Sequence, residues 1–144
     1  MVVYPDTSFI VSLYGHDANN ERAARIAVSL GCALAFTALQ RHETRNAFRL
    51  AVFRGDITPD QCRAALANVE GDISNGVLLE TTVAWADVFS TAEAVGAAHT
   101  ELLGVRAIDI LHVAAACAMG ANQFLTFDDR QKKLAGRAGL SVKP

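Results

Sequence analysis

Short apolar runs rich in strand-forming residues alternate along this chain with longer stretches in which apolar positions recur at helical spacing. Strands are predicted over residues 2–4, 34–36, 77–82, 123–126 and 140–142. Helices are predicted over 7–14, 21–30, 85–103, 107–119 and 128–137. Two more open on capping boxes, Thr37-Ala38-Leu39-Gln40 running to about residue 53 and Thr58-Pro59-Asp60-Gln61 ending within 71–76. Strands separated by helices imply right-handed crossovers, hence an α/β fold with a mainly parallel central sheet covered on both faces. In such sheets the site lies outside the carboxyl ends of the strands.

Size and composition narrow this further. A chain of 144 residues is the size of one domain, taken here as 1–144, and 51% hydrophobic against 19% charged residues describes a packed globule. The net charge of −2 offers no bulk basic surface for nucleic acid. Cys32, Cys62 and Cys117 are odd in number and form no C-x-x-C pair, which argues against a disulfide framework or a zinc ribbon. No stretch reads as a signal peptide or a membrane span, so a cytoplasmic protein with no membrane partner is expected.

Four acids stand where solvent would not place them. Asp6 and Asp128 each stand at the carboxyl end of a predicted strand, where both also suit helix N-caps. Glu43 falls within roughly 40° of Leu39, Ala47 and Leu50 at 100° per residue, while Arg41, Arg45 and Arg49 form a stripe on the far side. Glu43 is therefore expected on the core face of its helix. Asp109, with His112, interrupts an otherwise apolar helix that reads as buried. Two carboxylates about 4 Å apart repel by roughly 4 kcal/mol at an effective dielectric of 20, so a cluster of them calls for a cation. Oxygen donors without thiolates suit Mg²⁺ or Mn²⁺.

Asp6-Thr7-Ser8, Glu43 with Asn46-Ala47, Arg106-x-x-Asp109-x-x-His112-x-Ala114-x-Ala116 and Phe124-Leu125-Thr126-x-Asp128 resemble the PIN-domain nucleases, especially the VapC-type toxins of toxin–antitoxin pairs. The resemblance spans essentially the whole chain. It implies a PIN-like three-layer α/β/α fold and Mg²⁺- or Mn²⁺-dependent hydrolysis of RNA phosphodiesters by an activated water. It further implies Asp6, Glu43, Asp109 and Asp128 as the catalytic, metal-holding quartet, with Thr7, Ser8 and Thr126 orienting it. A homodimer and an antitoxin protein are the partners that the family suggests. Pro5 before Asp6 and Thr44-Arg45 after Glu43 depart from the family pattern, and proline removes a ladder donor from a central strand.

Around the quartet, His112 reads as a core histidine or a hydrogen-bond partner of an acid, and Asn46 as a partner of Glu43 or a packing residue. Arg106 is a candidate phosphate contact or the partner of a structural ion pair. The arginine stripe reads as a solvated face open to flanking RNA or an acidic partner. Trp85 and the Phe48/Val52/Phe53 group read as core. A Ser8-based triad lacks a G-x-S-x-G elbow, and an aspartyl phosphatase lacks its D-x-D because Ser8 stands at the second acid. The remaining alternative is a catalytically inactive PIN-fold binding or scaffold module.

Overall fold

The computed structural model describes residues 1–144. Five short strands, β1 (Val3–Pro5), β2 (Leu34–Phe36), β3 (Leu78–Glu80), β4 (Gln123–Leu125) and β5 (Val142–Lys143), alternate with seven helices. These are α1 (Thr7–Tyr14), α2 (Asn20–Leu30), α3 (Ala38–Arg54), α4 (Pro59–Ser74), α5 (Trp85–Leu103), α6 (Ala107–Ala118) and α7 (Asp129–Arg137). All pairings are parallel: β1 with β4, β4 with β5, and β2 with β3. β2 lies beside β1, giving the spatial order β3-β2-β1-β4-β5. No helix is long and apolar enough to cross a membrane.

The period of two along the strands divides the core between the two faces. Val3, Leu34, Phe36, Leu78 and Leu125 pack with Phe9, Ile10, Ala23 and Val69 from α1, α2 and α4. Tyr4 and Phe124, whose rings stack at 5.6 Å, point the other way and meet Val88, Val113 and Leu134 from α5, α6 and α7. This is the α/β/α layering expected. β3 and β5 are shorter than predicted, although Leu34 N–H to Val77 O and Thr81 N–H to Phe36 O carry the β2–β3 pairing one residue beyond each end.

Pro5 splits the ladder. Asp6 N–H donates to Leu125 O at 2.9 Å, so even-numbered residues of this strand bond to β4 and odd-numbered ones face β2. Pro5 has no N–H to give β2. Gln40 bridges the gap instead: its Nε2 donates to Pro5 O at 2.5 Å and to Ala35 O at 3.1 Å, and its Oε1 accepts from Thr37 N–H at 2.6 Å. The capping-box glutamine of α3 thus stitches the two half-sheets together. Gly55 at φ +78 ends α3, and Gly104 at φ +63 ends α5 just before the turn that presents Arg106.

The face that α3 buries differs from the expected one. Gln40, Thr44 and Phe48 are buried, whereas Leu50 is 38% exposed and Phe53 87% exposed. Gln40 is buried because it has carbonyls to satisfy, a demand that an apolar-face rule does not register, whereas the buried Thr44 hydroxyl has no partner. Phe53 therefore leaves the predicted core group, while Trp85 packs, half-buried, against the α5–α6–α7 core. The arginine stripe is corrected as well. Arg41 Nη2 lies 2.9 Å from Glu70 Oε1 and its Nη1 3.4 Å from Glu80, and Arg45 pairs with the same Glu70. Two of the three arginines tie α3 to α4 and β3, and only Arg49 remains a solvated charge.

Candidate active site

Asp6, at the carboxyl end of β1, is 2% exposed and caps α1. Its Oδ1 accepts from Phe9 N–H at 2.9 Å and Ser8 Oγ at 2.6 Å, and its Oδ2 from Thr126 Oγ1 at 2.6 Å. Burial pushes its pKa above the usual carboxylate value, against the pull of these three donors. Ser8 and Thr126 are also linked to each other at 3.3 Å, and Phe127 N–H donates to Ser8 Oγ at 3.0 Å. The ends of β1 and β4 are therefore one hydrogen-bonded unit.

Asp128 follows β4 and caps α7, its Oδ1 accepting from Arg130 N–H at 2.8 Å and Gln131 N–H at 3.0 Å. Both strand-end acids serve as N-caps, the plain structural role open to each from sequence. That role occupies Oδ1 of Asp128 and leaves Oδ2 without a protein partner.

Glu43 lies on the flank of α3, beside the buried Gln40–Thr44–Phe48 face rather than on it, with 24% of its side chain exposed. Its Oε1 accepts from Thr7 Oγ1 at 2.6 Å and from His112 Nε2 at 2.8 Å. Burial raises its pKa, but the bonds from His112 and Thr7 outweigh burial and hold the carboxyl below its ordinary value. His112 is 1% exposed, and its Nδ1 lies 2.9 Å from Tyr4 Oη. A proton on Nε2 satisfies every atom: the Tyr4 hydroxyl donates to Nδ1, and Nε2–H donates to Glu43. Burial raises the pKa of the Tyr4 phenol, which keeps it a donor. His112 is thus a hydrogen-bond partner of an acid. Asn46 is exposed and makes no bond to Glu43, which corrects that expectation.

Asp109, in the first turn of α6, is 5% exposed and held by Arg106 in a two-pronged pair, Nε to Oδ2 at 3.0 Å and Nη2 to Oδ1 at 3.1 Å. Arg106 N–H adds a bond to Oδ2 at 3.3 Å, and Gln131 Nε2 stands 3.5 Å from Oδ1.

These four acids come from four different elements and line one cavity of about 260 Å³, together with Thr7, Ser8, Arg106, His112 and Gln131. Its donor set is hard oxygen without thiolate, which fits Mg²⁺ or Mn²⁺. The carboxylates stand around the cavity rather than gathered at one point, for no three His, Cys, Asp or Glu side chains converge closely enough to enclose a cation. Thr126 holds Asp6 without lining the cavity.

Two residues escaped the sequence reading. Gln131 has a backbone N–H that caps onto Asp128, as its spacing suggests, but its side chain turns into the cavity, with a buried Oε1 that has no partner. Tyr4 reads as core from an apolar strand, and only the tertiary structure shows its hydroxyl meeting a histidine 108 positions away.

The family model for the PIN domain matches residues 3–137. The chain belongs to the PIN domain family. Solved structures carry the same fold at low identity. VapC20 of Mycobacterium tuberculosis, described as a sarcin–ricin loop cleaving toxin, is 22% identical at a TM-score of 0.65, covering 91% of this chain and 93% of its own. VapBC2 of Rickettsia felis, bound to a DNA fragment from its promoter, is 15% identical at a TM-score of 0.65, over 99% and 98% of the two chains. FitAcB of Neisseria gonorrhoeae is likewise 15% identical at 0.65, over 99% and 97%. No curated protein matches the sequence.

Proposed function

We propose that this PIN domain is a divalent-cation-dependent ribonuclease acting as the toxin of a toxin–antitoxin pair. One observation carries the reading: four acids from the ends of β1 and β4 and from α3 and α6 all reach a single cavity. Structural acids would be distributed among separate caps and ion pairs, with no reason to share one hollow. Membership of the family and the likeness to VapC20, named as a sarcin–ricin loop cleaving toxin, support RNA as the substrate. The two-component names of VapBC2 and FitAcB support an antitoxin protein as partner.

Asp6, Glu43, Asp109 and Asp128 would hold the cation, Mg²⁺ or Mn²⁺. When bound it would supply an activated water and neutralise charge on the leaving oxygen. The chain's own part is positioning. Ser8, Thr126 and Phe9 N–H pin both oxygens of Asp6. Thr7 and His112 fix Glu43 through Oε1 alone, and α7 fixes Asp128 through Oδ1 alone, so each keeps one oxygen for the cation. A scaffold module without activity would have no use for this set, and the retention of all four acids around the cavity favours the enzyme.

The test is cleavage of single-stranded RNA by the purified chain with Mn²⁺, with EDTA, and after Asp6→Asn or Asp109→Asn. Cleavage with Mn²⁺ that both EDTA and either substitution abolish is the expected result. Cleavage that survives Asp6→Asn would contradict the proposal.

A further inference from the structure

We propose that Arg106 is a latch on Asp109: it closes on the carboxylate while no cation is bound, yields it when one binds, and then turns its guanidinium to a phosphate of the RNA. The proposal rests on the reading of the cavity as a cation-dependent nuclease site.

The pair is asymmetric in a way that a structural ion pair need not be. Asp109 is the buried member, with 7% of its side chain exposed, and Arg106 the solvated one, with 66%. Arg106 can therefore leave without disturbing the core, whereas Asp109 cannot move far. The fork takes one lone pair on each oxygen of Asp109, and Arg106 N–H on Oδ2 and Gln131 Nε2 at 3.5 Å from Oδ1 face the others, so a cation reaching this carboxylate must displace a donor. The solvated guanidinium is the donor free to leave, so closure of the latch and ligation by Asp109 compete.

Release does not strand the carboxylate. The backbone N–H of Arg106 still reaches Oδ2, and Gln131 Nε2 stands beside Oδ1. The Gln131 amide lies in the cavity wall with its own oxygen lacking a partner, which marks this corner as one whose hydrogen bonding is incomplete in the closed form. A guanidinium freed at the mouth of the cavity is a two-pronged donor suited to a phosphate. Cation and RNA then favour each other's binding, because the cation opens the latch and the freed arginine meets the substrate.

Calorimetric titration of the full chain with Mn²⁺ alone, without RNA, tests the latch. Removing the competitor in Arg106→Gln should tighten Mn²⁺ binding about fivefold, the scale of one largely exposed ion pair. In cleavage of single-stranded RNA at saturating Mn²⁺ the same variant should raise KM. It should also reduce the slope of log(kcat/KM) against log salt by about 0.7, the loss of one phosphate contact. Because Arg106 is exposed, thermal melting should show both proteins folded, and Arg106→Ala provides a second variant with the same expectations. Mn²⁺ affinity that is unchanged or weaker in both variants, in a chain that cleaves RNA, would overturn the latch alone. A wild-type chain that binds no Mn²⁺ would overturn the nuclease reading and the latch with it.

Discussion

Two of the four acids leave the ends of strands and two ride on helices, and the two pairs are held by different kinds of bond. Asp6 and Asp128 cap the helices that follow them, so backbone N–H groups of α1 and α7 fix one oxygen of each, and Ser8 and Thr126 add hydroxyl bonds to Asp6 from the two strand ends. Glu43 depends on the side chains of His112 and Thr7 from other elements, and Asp109 chiefly on the exposed side chain of Arg106 at the start of its own helix, with Arg106 N–H adding a longer bond. The strand-end pair is preorganised by folding itself. The helix-borne pair is adjustable, and the groups that hold it are where ligation can be tuned without unfolding anything.

Substitution of a strand-end acid should separate function from stability most sharply. Asp6→Asn is expected to lower RNA cleavage by more than about 10²-fold, beyond what loss of a merely supporting group costs. Stability should move the other way. Burial raises the Asp6 pKa, so above that pKa the ionised side chain costs more in the folded protein than in the unfolded one. A neutral isostere escapes that cost, and the cation-free Asp6→Asn protein should melt no lower than wild type at neutral pH. A clear drop in its melting temperature would show that the cap and not the charge dominates there.

On the helix-borne side, His112→Leu removes the link between Tyr4 and Glu43. Cleavage is expected to fall about 10- to 100-fold, and urea melts should show a loss of about 2 kcal/mol from the stranded Tyr4 hydroxyl. Equal activity with equal stability would mean that Thr7 alone positions Glu43. Gln40→Leu should cost about 3 kcal/mol by leaving the carbonyls of Pro5 and Ala35 unpaired, with kcat nearly unchanged because the residue touches no acid. Smallest of all, Glu70→Gln should cost less than about 1 kcal/mol, since its pairs with Arg41 and Arg45 are partly solvated.

Features with local causes were legible in the sequence. The capping boxes at Thr37 and Thr58 close as their spacing implies, and every predicted strand and helix exists to within a few residues. Asp109 and His112 stood out because the rest of α6 is apolar. Features whose cause lies across the fold were not. The buried face of α3 was misread because Gln40 and Thr44 look solvent-seeking, and nothing near Gln40 reveals that a proline in a distant strand needs its amide. Arg41 and Arg45 looked unpartnered because Glu70 comes from the next helix. At Gln131 the spacing from Asp128 implies the capping N–H but says nothing of the side chain, since a backbone role and a side-chain role at one position share a single sequence signal.

The most direct measurement is anomalous scattering from a crystal of this chain soaked in Mn²⁺. A peak bounded by Asp6, Glu43, Asp109 and Asp128, with Arg106 turned away from Asp109, is the predicted result. No peak in that cavity, with the Arg106–Asp109 pair intact at saturating Mn²⁺, would contradict it.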